Sequence, residues 1–281
     1  MSVYEIITTR ILNELKKGII PWARGWKPEY HLPTNWFTQK PYHGLNLLLL
    51  QWNGQYASYK QITDAGGKVK KGSTATPIIF WKPFEVEEPD KDEPQIKFCL
   101  RYYSVFEIGI DTEGIDRREI SPVLPVSGNE LIHPYLASGP AIAHGYASAS
   151  YDPKKDVIRL PHIKQFHSPD HYLKTLFHEI IHSTGHSSRL QRPLDSHSAN
   201  RKSYAKEELT AEIGSAFLCN FAGIDSEKIF KQNTSYIQSW LAVLEDNPRM
   251  LISAASLAQK SVEYILNYSH SITTEPITQV A

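Results

Sequence analysis

Apolar residues recur at helical spacing over residues 3–17. Val3, Ile6, Ile7, Ile11, Leu12 and Leu15 fall on one side, Ser2 is placed to cap the start, and Gly18 to end it. The loop IIPWARGW follows, punctuated by Pro and Gly and carrying two tryptophans. The run GLNLLLLQW at 44–52 predicts a second, buried helix. Ser58 caps a third, YKQITDA, which stops at Gly66 and Gly67. KVKKGSTATPIIFWKPF then predicts a basic turn and a strand, EVEEPDKDEP an acidic hairpin loop bounded by prolines, and QIKFCLRYYSVFEI a long return strand.

The texture changes after residue 112. Pro, Gly, Ser and charge replace periodic apolar residues, so 113–130 is predicted to be a linker between a first domain, 1–112, and a second, 131–281. In the second domain AIAHGYASASYDPKKDVIRLP predicts strands with a turn at Asp152-Pro153-Lys154-Lys155. Ser168-Pro169-Asp170 marks a helix start: a capping hydroxyl, a proline at the first helical position and an acid in the first turn. That helix carries Tyr172, Leu173, Leu176, Phe177, Ile180 and Ile181 and is predicted to end near Gly185. A second strong helix runs from Ser203 to about Phe221, and helical pattern fills 226–268 with a break at Asn247-Pro248. The last dozen residues carry no pattern. The whole predicts an α+β protein of two domains, a small α/β domain followed by a mainly helical one with a small sheet.

The chain has 281 residues, 41% of them apolar, enough for cores without disulfides. Its formal net charge is zero, but the distribution is uneven. Residues 1–82 carry eleven Lys/Arg against four Asp/Glu, and residues 83–150 five against twelve. A basic start beside an acidic middle points to a polyanion partner for the N-terminal part, or to two stretches that face each other. The two cysteines, Cys99 and Cys219, sit in apolar runs and read as buried free thiols; no CxxC pair implies a thiolate zinc site. The N-terminus lacks the basic start and apolar block of a signal peptide, and LNLLLL is too short to span a bilayer. A cytoplasmic protein with no membrane partner is expected.

The stretch FHEIIHSTGH, residues 177–186, carries the chemistry. His178 and His182 are four apart on the predicted helix, hence on one face and separated by about 6 Å of rise, so both imidazoles can converge on one Zn2+. Glu179 lies beside that face, placed to take a proton from a metal-activated water. A catalytic zinc needs a third protein ligand. The next helix offers EELTAE, with Glu207, Glu208 and Glu212. Glu208 is the favoured ligand, with Glu207 and His186 as alternatives. Glu212, one turn from Glu208 on the same face, is placed to bond a ligand histidine from behind. His186 is also placed to bind substrate or orient a ligand. The longer pattern HExxHxxGxxH fails, because Ser188 stands where its third histidine belongs. The segment ASYDPKKDVIRL is expected to form an edge strand beside the cleft, where an extended peptide could pair. His186 and Tyr204 are candidates for stabilising an oxyanion.

The N-terminal region interleaves rings and cations: Trp22, Arg24, Trp26 and Lys27, then Tyr42, then Tyr59, then Lys68, Lys70 and Lys71. Stacking rings with phosphate-binding cations is the composition of a single-stranded nucleic-acid site. Each ring has packing in a core as its alternative role, and Trp52 on the apolar run reads as core.

Together these motifs resemble the ArdC-type antirestriction proteins of conjugative plasmids and mobile elements. The N-terminal resemblance is carried by VYEIITTRILNELKKGIIPWARGW, PTNWFTQKPYHGLNLLLLQW and YASYKQITDAGGKVKKGSTATPIIF, and the C-terminal one by ASYDPKKDVIRLP, FHEIIHSTGHSSRLQR and YAKEELTAEIGSAFLC. The short loop after PWARGW and the acidic stretch at 85–94 depart from the pattern. The resemblance implies a single-stranded-DNA-binding domain followed by a zincin-like metallopeptidase domain, in a protein that protects or accompanies incoming mobile-element DNA. A protein or peptide substrate is then expected as well. The alternative is a DNA-protecting single-strand-binding protein whose zinc is structural and not proteolytic.

Overall fold

Ser2 opens the first helix, α1 (Val3–Lys16), through a reciprocal cap: its hydroxyl accepts from the Glu5 amide while the Glu5 carboxylate accepts from the Ser2 amide at 2.7 Å. Ile7, Ile11 and Leu15, one turn apart, are buried along a single stripe. The structure, a computed structural model, describes residues 2–23, 31–86, 95–120, 126–194, 200–225, 229 and 234–266. These divide into two units. One is built from the described residues within 2–21, 31–120 and 234–252, the other from those within 22–23, 126–229 and 253–266. No helix among the described residues is long and apolar enough to cross a membrane.

In the first unit a four-stranded sheet has the order β1 (Thr34–Asn35), β2 (Gln55–Ser58), β5 (Gln95–Glu107), β4 (Thr76–Val86). β4 and β5 form the predicted long antiparallel pair, with Thr76 opposite Val105 and Val86 opposite Gln95. The acidic stretch predicted to join them, residues 87–94, lies outside the described residues. A second pair, β3 (Lys68–Val69) with β6 (Thr112–Glu113), flanks α3 (Tyr59–Asp64). Trp36, Ala57, Ile62 and Ile108 form the buried cluster between these elements.

Four expectations change here. The helix predicted over 44–52 shrinks to α2 (Asn46–Leu49). The Asn46 amide pairs with the Ile79 backbone in both directions at 2.9 Å, and the Gln51 N–H turns to the Tyr56 hydroxyl. These bonds draw the run out of helical pairing while its leucines stay buried. Trp52, expected in the core, is half-buried. The start of the predicted linker is docked: the Trp36 indole donates to the Asp116 carbonyl at 2.9 Å, and the Gln55 amide bonds the Arg118 backbone. Finally, α7 (Thr234–Asp246), read as part of the second domain, packs on α1, with Lys16 paired to Glu245 at 2.8 Å.

The second unit begins with α4 (Gly128–Leu136), capped by Ser127. A three-stranded sheet follows in the order β7 (Ala141–His144), β9 (Val157–Leu160), β8 (Ser150–Asp152). The predicted turn is observed, with Asp152 accepting from the Lys154 and Lys155 amides. The stretch expected to form one edge strand splits in two: β8 is an edge, and β9 is central. Two long helices, α5 (Pro169–Thr184) and α6 (Arg201–Phe221), pack face to face. Gly214 permits the approach, since a Cβ there would lie 2.7 Å from Ile181 Cδ1. Leu176, Phe177, Ile180 and Ile181 are fully buried on α5, each contributing about 1.5–3 kcal/mol. α8 (Pro248–Ile265) begins after the predicted break and runs on into this unit. The loose C-terminal dozen lies outside the described residues.

Candidate metal centre

Helix α5 starts as its sequence dictates: the Ser168 hydroxyl caps the His171 amide and Pro169 occupies the first turn. With one face committed to the core, His178 and His182 share another. Their Nε2 atoms are 3.1 Å apart and their ring planes are inclined by 80°. Glu208 reaches them from α6, one carboxylate oxygen 3.6 Å from His178 Nε2 and the other 3.6 Å from His182 Nε2. Among the described residues, these three form the cluster able to hold a metal.

The donor set fits a divalent cation. His182 Nδ1 lies 3.1 Å from Glu207 Oε1, a carboxylate oxygen able to accept from it, while Nε2 faces His178. Two imidazole nitrogens 3.1 Å apart with a carboxylate beside them offer the nitrogen and oxygen donors that a divalent cation takes. A tetrahedral site with bonds of about 2.1 Å has ligand separations of about 3.4 Å, close to those found. Burial pushes the Glu208 carboxyl up, but the two histidines more than offset this and hold it below the usual carboxylate range. Burial would depress His182; its carboxylate neighbours, Glu207 foremost, raise it instead.

Glu179 is buried beside the cluster, and burial raises its carboxyl above the usual range against the opposing pull of both histidines. The backbone N–H of Tyr151, on edge strand β8, lies near enough to favour its charged form, the smallest of these influences. Tyr204, one turn before Glu208 on α6, places its hydroxyl on the Glu208 carboxylate.

The glutamates divide their roles differently from the sequence expectation. Glu207, considered as a third ligand, instead supports His182 from behind. Its carboxylate is held by the Arg192 guanidinium through two bonds of 2.7 and 2.9 Å. Glu212, expected to support a histidine, approaches His178 Nδ1 only to 3.8 Å and makes no hydrogen bond to it. Its other oxygen is 3.5 Å from the Lys174 ammonium. His186 is not brought to the cluster: its Nδ1 bonds Ser188 Oγ at 2.7 Å. Arg192 gave no sequence signal beyond its place in HSSRLQR. The pairing with Glu207 joins a loop to a helix across fifteen residues.

Residues 1–106 match the family described as the N-terminal domain of the anti-restriction factor ArdC, and residues 132–257 the family described as zincin-like metallopeptidase. The metal-free crystal structure of the antirestriction ArdC protein from plasmid R388 is similar over 94% of this chain and 97% of its own, at 30% identity and a TM-score of 0.72. This chain belongs to the ArdC antirestriction family. The Mn(II)-bound structure of the R388 protein is similar at a TM-score of 0.71, over 97% of this chain and all of its own. Among curated relatives, a DNA primase TraC of Escherichia coli is 34% identical over 99% of this chain, and the chain spans 28% of that protein's length. The uncharacterized protein y4eC of Sinorhizobium fredii is 29% identical, with 94% of this chain and 91% of y4eC covered.

Within the ArdC-type N-terminal region the sequence candidates meet different fates. Trp22 is 1% exposed and Tyr42 9%, so neither presents a ring face for stacking. Tyr42 also accepts from the Asn35 amide, and burial first of all pushes its phenol well above the usual range. Tyr59 is 61% exposed at the start of α3, and Lys68 and Lys71 are exposed nearby in the chain. Lys70 is exposed too, but its ammonium bonds the Ile110 carbonyl at 2.8 Å. Arg24, Trp26 and Lys27 lie outside the described residues. Cys219 is buried, and its thiol is pushed up to about 12 by burial; Cys99 is only half-buried, against expectation. Both are free.

Proposed function

We propose that this chain is a Zn2+-dependent peptidase joined to a single-stranded-DNA-binding region, acting as an antirestriction protein on incoming mobile-element DNA. The observation that carries the reading is the convergence of His178, His182 and Glu208 beside a buried Glu179. Zn2+ bound by the three would supply Lewis-acid polarisation of a water or carbonyl oxygen. Glu179 is the proton acceptor. Its raised affinity for a proton brings it closer to the neutral range that general-base work favours. β8, paired on one side only, offers an edge to an extended peptide, and Tyr151 within it places that edge at Glu179. Tyr204, at the Glu208 carboxylate, is the side chain we assign to the developing oxyanion; His186, bonded to Ser188, is set aside for that role.

The DNA-binding half rests on the exposed ring of Tyr59 with Lys68 and Lys71, and on the net positive charge of residues 1–82. Glu179→Gln tests the hydrolytic half. It keeps the side chain's shape and leaves metal and DNA binding intact, and it is expected to abolish peptide cleavage and antirestriction. Full protection of DNA by this variant would refute a hydrolytic role and leave strand coating by a protein with a structural metal.

A further inference from the structure

The two histidines are supported unequally. Arg192 is buried and uses all five of its N–H donors. Two go to the Glu207 carboxylate, at 2.9 and 2.7 Å. The other three go to Ile181 O at 2.7 Å, Thr184 Oγ1 at 2.7 Å and Ser261 Oγ at 2.9 Å. Glu207, itself buried, thereby keeps one oxygen aimed at His182 Nδ1. His178 has no such anchor among the described residues, where its Nδ1 is buried without a hydrogen-bond partner. Gly185 makes the arrangement possible: a Cβ there would lie 2.8 Å from Leu194 and 3.2 Å from Arg192 Nη2. Its φ of −75° is ordinary, so the glycine answers a need for space and not for backbone freedom.

A buried ion pair is a weak source of stability, because desolvating both charges offsets their attraction. Its value here is directional. We infer that Arg192 and Glu207 are positioning residues that fix His182 in the Nδ1–H tautomer before any metal arrives, and so set the affinity of the centre. His178 is then the ligand that adjusts. Through Ser261 the same guanidinium ties α8 to the ligand helix, so metal affinity depends on a helix that contributes no ligand. The inference rests on the reading that His178, His182 and Glu208 hold a divalent cation.

The test uses the full chain and Zn2+ or Mn2+ in competition with a chelator. Glu207→Gln and Arg192→Met are each expected to weaken metal binding about 10–100-fold, and Glu212→Gln less than either. A merely structural pair would lower the melting temperature of the metal-free protein and leave affinity unchanged, and that result in a folded variant overturns the inference. Ring 15N NMR of the metal-free wild type gives a second readout that needs no variant. With the ring neutral, His182 is expected to carry its proton on Nδ1, and a proton on Nε2 or an even mixture overturns the inference. Wild-type protein that binds neither ion refutes the metal-centre reading itself, whereas the tautomer still tests the positioning by Glu207.

Discussion

His178, His182 and Glu208 bring their ligand atoms within 4.8 Å of one another, whereas Trp22, Tyr42 and Tyr59 occupy surroundings with nothing in common. The first is buried, the second is buried with its hydroxyl bonded, and the third stands in solvent. Residue type marks both groups in the sequence, and spacing constrains only the first. A four-residue interval on a capped helix fixes two side chains to one face whatever the rest of the fold does. Rings interleaved with lysines across several short elements carry no such constraint. Where each ring points is decided by contacts distant in the chain.

The contrast can be broken at Trp22. Trp22→Ala removes a fully buried ring and is expected to destabilise the protein by about 3–5 kcal/mol, read from denaturant unfolding. Single-strand affinity of the folded fraction should not change; a fall there with stability intact would return Trp22 to the binding set. Close packing of the ligand helices is tested by Gly214→Ala, whose new methyl meets Ile181. A loss of about 1–3 kcal/mol is expected, because the neighbouring ring-bearing helix must shift. On the N-terminal side, Tyr59→Ala should cost about 1–3 kcal/mol of single-stranded DNA affinity while stability moves by less than about 0.5 kcal/mol. An unchanged affinity would leave the exposed lysines as the source of binding, and a steep salt dependence would identify them.

What was legible in the sequence follows the same division. α5 and its cap were legible because serine, proline and acid fall in order before a periodic apolar stripe. The close approach of α6 to α5 turns on Gly214, where any side chain would meet Ile181. The choice among Glu207, Glu208 and Glu212 was only half legible. Three carboxylates lie within two turns of one helix, and Glu207 alone of them pairs with Arg192 in a loop, a contact that residue type and spacing do not reveal. The short α2 was not legible at all, because its leucines are buried as a long helix would bury them. The Asn46 side chain, pairing with Ile79 far along the chain, decides its length. The membership of α7 in the first unit was hidden for the same reason, since its contacts with α1, Lys16 to Glu245 among them, bridge more than two hundred residues.

The proposed chemistry needs one cation shared by three side chains from two helices. Elemental analysis of the purified full chain, beside a variant with His178→Ala and His182→Ala, tests this directly. The prediction is one equivalent of divalent metal per wild-type chain and none in the double variant, with the variant still folded. Metal-free wild type that takes up no Zn2+ or Mn2+ when supplied, or a double variant that retains a full equivalent, would contradict it.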